Sequence, residues 1–257
     1  MNETPKSRLG EAYQQVYELL CGRHPRLRPW HFQYLDAFYL YRSLRSQLSQ
    51  LGGVVLDVGC GDQPYRSWFG KVQRYIGIDV SPGERVDIVI EPGSAWPLPD
   101  ASIDVVLCTQ VLEHVEDLEH TLSEIRRILR PGGKAVISYP FIYNEHGVPH
   151  DFRRFTAYSA RPLFPGWKII SLERQGGIDS TLVILFLNWA DHAMNQNKVT
   201  RLLKGGLLPV WIVFSLLSNL LGLFLDRLDV TSAFYNNVLV VYSKSSVEMI
   251  GKNDSDG

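Results

Sequence analysis

Short runs of apolar, β-branched residues alternate along this chain with stretches whose apolar positions recur every three to four residues. The first such run, Val54-Val55-Leu56-Asp57-Val58, ends in Gly59-Cys60-Gly61. A run of that kind, closed by glycines, reads as a buried strand entering a tight turn. Comparable runs follow at Arg74–Asp79, Val86–Ile90, Asp104–Cys108 and Lys134–Tyr139, and a late pair at Lys168–Leu172 and Asn237–Tyr242 finishes the set. Leu118–Leu129 is the clearest helix between them, stopped by Arg130-Pro131-Gly132-Gly133. Alternation of this kind predicts an α/β fold with a doubly wound, mainly parallel sheet covered by helices on both faces.

The pattern differs on either side of this core. From Leu9 to about Gln50 the periodicity is helical, broken by Pro25 and Pro29, so residues 1–50 read as an N-terminal helical extension whose first residues are polar. The main domain is expected over 51–244, with an apolar helical insertion at about 178–228, followed by a polar tail at 245–257. Within the insertion, the stretch between Lys204 and Asp226 carries no charge and is long enough to cross a bilayer. A single crossing would separate Asn237–Tyr242 from the sheet it should complete. The stretch is therefore expected to lie on a membrane, re-enter it, or pack against protein. Ser215, Ser218, Asn219, Gly222 and Asp226 recur at helical spacing as a narrow polar stripe. One reading is a helix at 205–225 resting in the membrane interface, aided by Trp211 and the arginine-rich N-terminal region; the other is a lid or dimer contact.

Composition adds exclusions. The formal net charge of -1 gives no general attraction to nucleic acid, although Arg23, Arg26, Arg28, Arg42 and Arg45 cluster early. Cys21, Cys60 and Cys108 are few and widely spaced, which argues against a disulfide framework or a zinc site. The first residues, MNETPKSRLGEAYQQ, contain no apolar signal-peptide core. Together these place the expected location in the cytoplasm; peripheral contact with a membrane is the expectation only on the interfacial reading of 205–225.

Candidate chemistry starts at Asp57-Val58-Gly59-Cys60-Gly61-Asp62, a glycine loop that should open a helix. Glycines there allow close approach of the backbone to a ligand. The next strand, Tyr75-Ile76-Gly77-Ile78, ends in Asp79, and a carboxylate at that tip can accept both hydroxyls of a ribose. A nucleoside-containing ligand at the carboxyl ends of the first two strands is the expectation. Cys60 reads as a small loop residue within this site rather than a nucleophile.

Further blocks follow in order. Trp96-Pro97-Leu98-Pro99-Asp100 leads through Ile103-Asp104-Val105-Val106 to Val111-Leu112-Glu113-His114-Val115 and then Leu129-Arg130-Pro131-Gly132-Gly133. From about Val54 to Pro140 this resembles the class I S-adenosylmethionine (SAM)-dependent methyltransferases, in the broad group of the ubiquinone and menaquinone biosynthesis enzymes (methyltransferase type 11). The resemblance implies a Rossmann-like, seven-stranded sheet with its last strand antiparallel. It also implies that Gly59 and Gly61 pass under the methionine part of SAM, with Asp57 near its ammonium. Asp79 would hold the ribose, Val80 would lie against the adenine, and Gln110 would close the site near the methionine. Two positions depart from the pattern: Gln63 stands where a third glycine is common, and Pro92 stands where many relatives have an aspartate for the adenine. NAD(P) is the alternative cofactor, disfavoured because the glycines end at Gly61.

The acceptor is expected beside the segment 140–156, dense in aromatic and charged groups. Alignment with an already activated methyl group does most of the work in such a transfer, and a base is needed only for an acceptor proton of high pKa. His150 and then His146 are the candidate bases, with fastening of the loop by His150, Asp151 and Arg153 or Arg154 as the competing role. The two histidines are four apart, but Gly147 and Pro149 speak against the helix that would make this a metal pair, so no metal is expected. The overall expectation is an enzyme that methylates a small-molecule or lipid-linked acceptor. The alternatives are a protein or nucleic-acid methyltransferase and a catalytically silent SAM-binding or membrane-scaffold protein.

Overall fold

A computed structural model describes residues 8–246, so the expected polar ends at 1–7 and 247–257 lie outside the described residues. Seven strands form one sheet: β1 (Gly53–Val58), β2 (Val72–Asp79), β3 (Ile88–Val89), β4 (Ile103–Thr109), β5 (Leu129–Pro140), β6 (Lys168–Gln175) and β7 (Asn237–Ser243). Their spatial order is β3-β2-β1-β4-β5-β7-β6. β1 to β5 pair in parallel, and β7 runs antiparallel to both β5 and β6. Each expected apolar run falls on one of these strands. The order reverses between β1 and β4, and at such a switch point the loops after the strands part to leave a crevice.

Two local expectations are corrected. No α-helix opens after Gly61; a turn and a single 3-10 turn, Arg66–Trp68, lead to β2. Gln63 has a φ of +52°, in the left-handed region, and Pro64 follows it. A right-handed helix cannot pass through that residue, and little chain then remains before Val72. The helix Leu118–Ile128, in the stretch between β4 and β5, is capped by the Asp117 side chain, which accepts from the His120 backbone N–H. It ends one residue before the expected Leu129. That residue already pairs with Ile103, so the Arg130-Pro131-Gly132-Gly133 stop lies inside β5.

The chain divides into two compact units. The sheet unit comprises Arg42–Gln175 and the chain from Asn237 onward. Its interior includes Val55, Tyr75, Val105, Leu107, Val136, Leu239 and Val241, with Leu44 and Leu48 packed against them.

The helical unit comprises the chain up to Tyr41 and Gly176–Asn236. It contains helix Arg8–Cys21, the first part of helix Tyr34–Leu48, and the insertion helices Ile178–Met194, Lys198–Gly206 and Leu208–Leu225. Tyr17, Cys21, Leu187, Leu208 and Trp211 form its core. The polar stripe on Leu208–Leu225 points inward: Ser215 and Asn219 are buried, and Asn219 Nδ2 donates to the carbonyls of Pro29 (2.8 Å) and His31 (2.9 Å). Asp226 accepts from the backbone N–H of Ser180 (2.9 Å) and Gly177 (3.2 Å) and from the Tyr39 hydroxyl (2.6 Å). It thereby supplies a carboxylate to the free N–H groups that open helix Ile178–Met194. The outward face is apolar, with Val210, Val213, Leu217, Leu221 and Phe224 all more than half exposed.

Candidate active site

The site is built at the carboxyl ends of β1, β2 and β4. As the chain leaves β1, the N–H groups of Gly59 (2.9 Å) and Cys60 (3.1 Å) both donate to the Ile78 carbonyl, which ties the loop to the end of β2. Gly59 and Gly61 take φ values of +65° and +45°. A Cβ on Gly59 would stand 2.5 Å from Cγ2 of Val111, whereas a Cβ on Gly61 would meet nothing within 4 Å. Gly59 is thus required by packing, and Gly61 borders open space that a ligand can enter. The Gly61 N–H donates to Asp79 Oδ2 (3.1 Å) and the Ser81 N–H to Asp79 Oδ1 (3.0 Å), so the carboxylate at the tip of β2 is aimed by two backbone groups.

Asp57 is buried beneath this loop, with one oxygen accepting from the Tyr75 hydroxyl at 2.6 Å. Burial is the main influence on it and lifts its pKa to about 7; the Tyr75 hydrogen bond opposes that rise and the charge of Asp79 adds to it. Cys60 is also buried, and desolvation with the nearby carboxylates raises its thiol to about 12, which removes it from nucleophilic chemistry. Val80 is exposed beside Asp79, available to a flat apolar ligand face. Gln110, at the end of β4, has a φ of +55°; its backbone N–H donates to the Ser138 carbonyl (3.0 Å) and its amide to the Ser138 hydroxyl (3.1 Å). A non-glycine backbone held in the left-handed region at the end of a central strand marks a position fixed by its surroundings.

Gln63, read in the sequence only as a departure from a glycine pattern, is buried and has a structural task. Its amide donates to the Arg85 carbonyl (2.5 Å), and Asp87 accepts from the Gly77 N–H (2.7 Å), so the two connect the glycine loop to the approach to β3. The Gly-Asp-Gln-Pro order offers no signal of this, because the partner carbonyl lies 22 residues away.

The segment after β5 closes over the end of β4. Arg154 forms a two-pronged ion pair with Asp151 (2.5 and 2.7 Å) and also donates to the Asn144 carbonyl (2.9 Å). That guanidinium holds Asp151 down at about 2. Arg153 donates to the carbonyls of Val115 and Glu116, and the Phe152 N–H donates to the Glu113 carbonyl (2.8 Å). His146 and His150 are not brought together. The His150 ring is exposed near Phe152, and its backbone carbonyl, not its imidazole, meets Nδ1 of His114 (2.6 Å). The His146 ring turns toward His114, with Nε2 to Nε2 at 3.1 Å, and burial lowers its pKa. Glu113, fully buried, puts Oε1 at 3.9 Å from both of those nitrogens. The sequence showed Glu113 and His114 as adjacent, but not that a residue 32 positions on would join them.

Residues 56–137 match the family model of a methyltransferase domain. An uncharacterized methyltransferase of Mycobacteroides abscessus is 36% identical over 121 residues, covering 39% of this chain and 47% of the relative. A probable S-adenosylmethionine-dependent methyltransferase of Mycolicibacterium smegmatis is 39% identical over 99 residues, covering 35% of this chain and 38% of its own. The chain thus spans less than half the length of these relatives. The crystal structure of the [4+2]-cyclase SpnF superposes with a TM-score of 0.54 at 20% identity, over 93% of this chain and 96% of that one, which shows the fold.

Proposed function

We propose that this chain, which carries a methyltransferase domain, transfers a methyl group from SAM to a small-molecule or lipid-linked acceptor while resting on a membrane surface. The observation that carries the cofactor reading is the pairing of open space at Gly61 with a buried Asp57 carboxylate. Burial makes that carboxylate costly to ionise, and a cationic amine placed beside it would reverse the penalty. The residues present therefore fit an amino-acid ammonium at Asp57 and a ribose at Asp79. SAM supplies an electrophilic methyl on a sulfonium; the chain's own part is to bind, align and exclude water.

The membrane part rests on the insertion. Leu208–Leu228 is long and apolar enough to cross a membrane. However, β6 and β7, which flank the insertion in sequence, are neighbours in one sheet, so this helix cannot make a lone crossing. Ser215 and Asn219 face protein while Leu217, Leu220 and Leu221 face outward, the reverse of a helix on a water-facing surface. Exposed Val199, Leu202 and Leu203 of Lys198–Gly206, and Leu182, Phe186 and Trp189 of Ile178–Met194, extend the apolar surface of the same unit. A patch of this kind is typical of a lipid or protein contact.

The test is to incubate the chain with methyl-labelled SAM and a lipid extract, and to follow both S-adenosylhomocysteine and label in the organic phase. Label in a lipid product supports the reading; SAM binding with no S-adenosylhomocysteine in any extract refutes methyl transfer and leaves a silent binder. Co-sedimentation with liposomes tests the membrane part, and a wild-type chain that stays in the supernatant at low salt rules it out.

A further inference from the structure

We propose that Glu113, His114 and His146 form a binding site for a divalent transition-metal ion, of which zinc is the reference case. Three ligand atoms define it: Glu113 Oε1, His114 Nε2 and His146 Nε2, separated by 3.1, 3.9 and 3.9 Å. The point equidistant from the corners of that triangle lies about 2.1 Å from each, which is the bond length of zinc to imidazole nitrogen and carboxylate oxygen.

The hydrogen bonds behind the rings prepare both nitrogens for this. His114 Nδ1 faces the His150 carbonyl at 2.6 Å, and a carbonyl only accepts, so the proton of a neutral ring sits on Nδ1 and Nε2 presents a lone pair. His146 Nδ1 faces the Asn144 carbonyl (3.3 Å) and Asp151 Oδ2 (3.5 Å), again acceptors, which favours the tautomer that leaves its Nε2 with a lone pair. In these tautomers neither Nε2 donates to the other across 3.1 Å, and a cation between them relieves the repulsion of the two lone pairs. An oxygen acceptor behind each ligating imidazole is the usual arrangement around bound zinc. Asp151 is itself fixed by Arg154 and by the His146 N–H (2.9 Å), and Gly147 packs against the His114 ring, where a Cβ would reach 3.0 Å from Cε1. Gly147 and Pro149 do keep His146 and His150 off a common helix; the ligands are instead brought together by the single 3-10 turn Leu112–His114 after β4 and the loop after β5.

Three protein ligands leave coordination positions open, the pattern of a reactive rather than a structural ion. The open positions suit an oxygen donor, such as water or a hydroxyl or carboxylate of the acceptor. Gly59 packs against Val111, three residues before His114, so this cluster and the glycine loop share the carboxyl edge of β1 and β4. Only the role for the acceptor oxygen rests on the methyl-transfer reading; the ion site does not.

The full chain, freed of any affinity tag and stripped with a chelator, is titrated with Zn²⁺ by calorimetry, and with Co²⁺ by visible absorption. The expected result is one ion per chain. His114→Ala, His146→Ala and the near-isosteric Glu113→Gln should each weaken binding by more than about a hundredfold, and Asp151→Asn by about tenfold to a hundredfold. Circular dichroism checks the fold of each variant, and His146, on a loop, is the substitution least able to disturb it. A wild-type chain that binds no zinc, as it would if the two imidazoles shared a proton instead, overturns the proposal. So does affinity unchanged in a folded His146→Ala. SAM binding measured on the same samples reads the cofactor site separately, so the failure of one reading is distinct from the failure of the other.

Discussion

Substitution of Gly59 by alanine separates two costs that the structure places on one residue. The first is conformational: at a φ of +65°, an L-residue pays about 1–2 kcal/mol for the left-handed region. The second is steric: the new methyl would stand 2.5 Å from Val111 Cγ2, and overpacking of this kind costs about 1–3 kcal/mol. Gly59→Ala should therefore destabilise the chain by roughly 2–5 kcal/mol, a large share of the ~5–15 kcal/mol that holds a typical domain. Val111→Ala removes the obstructing methyl. In that background the steric part disappears and the conformational part stays, so a double-mutant cycle read by urea unfolding should show a rescuing coupling of about 1–3 kcal/mol. Gly61→Ala is the control. Its φ of +45° is strained too, but nothing lies within 4 Å of its Cβ, so Val111→Ala should give it no rescue. It should instead lose SAM affinity out of proportion to stability, because the methyl enters the space assigned to the ligand. Additive costs for Gly59→Ala and Val111→Ala would refute the packing argument, and unchanged SAM binding in Gly61→Ala would remove that space from the cofactor site.

Three further outcomes follow from the same geometry. Asp79→Ala should weaken SAM binding by about 1.5–3 kcal/mol through loss of charged hydrogen bonds, and calorimetric affinity equal to wild type would exclude it from the site. Asp57 has a folded pKa raised from about 4 to about 7, so the unfolded chain deprotonates first, and the group subtracts stability as pH rises through that window. Asp57→Asn should therefore flatten the pH dependence of unfolding between pH 4 and 7, while SAM binding to wild type near pH 7 should release protons, seen as a buffer-dependent binding enthalpy; binding heats identical in all buffers would contradict this. Leu217→Asp with Leu221→Asp, both on the exposed apolar face one helical turn apart, should release the chain from liposomes with its circular dichroism spectrum unchanged, and retained sedimentation would show that this face is not the lipid contact.

The strands were legible because their information is local. Alternation of apolar runs with turns placed all seven strands, and one loop with one carboxylate some 20 residues later named the candidate ligand edge. The missing helix after Gly61 was less legible. Glycine-rich loops in this fold usually lead into helices, and only the left-handed Gln63 before Pro64 turns the chain aside. The segment 140–156, where an acceptor is expected, was least legible, since its geometry depends on contacts distant in sequence. His146 and His150 looked like a pair because they are close along the chain. The fold joins His146 instead to His114, through a loop pinned by Arg154 on Asp151 and Arg153 on Val115.

The insertion shows what periodicity can and cannot decide. Ser215, Asn219 and Asp226 were visible as a stripe in the sequence, but a stripe does not say which side faces protein. On a water-soluble helix the polar side turns outward; here the Asn219 amide N–H and the Asp226 carboxylate bond to backbone groups of the same unit, at 2.8–3.2 Å, so both groups face protein rather than water. With the outer face dominated by apolar side chains, each exposed leucine or valine left in water forgoes burial worth about 25 cal/mol per Å². Several such side chains on one face amount to several kcal/mol, which a lipid interface can recover with little reordering of a helix that is already formed. A covering protein helix can recover the same amount. The Leu217 and Leu221 substitutions measured against liposomes, beside the oligomeric state of the wild type in their absence, decide which surface supplies it.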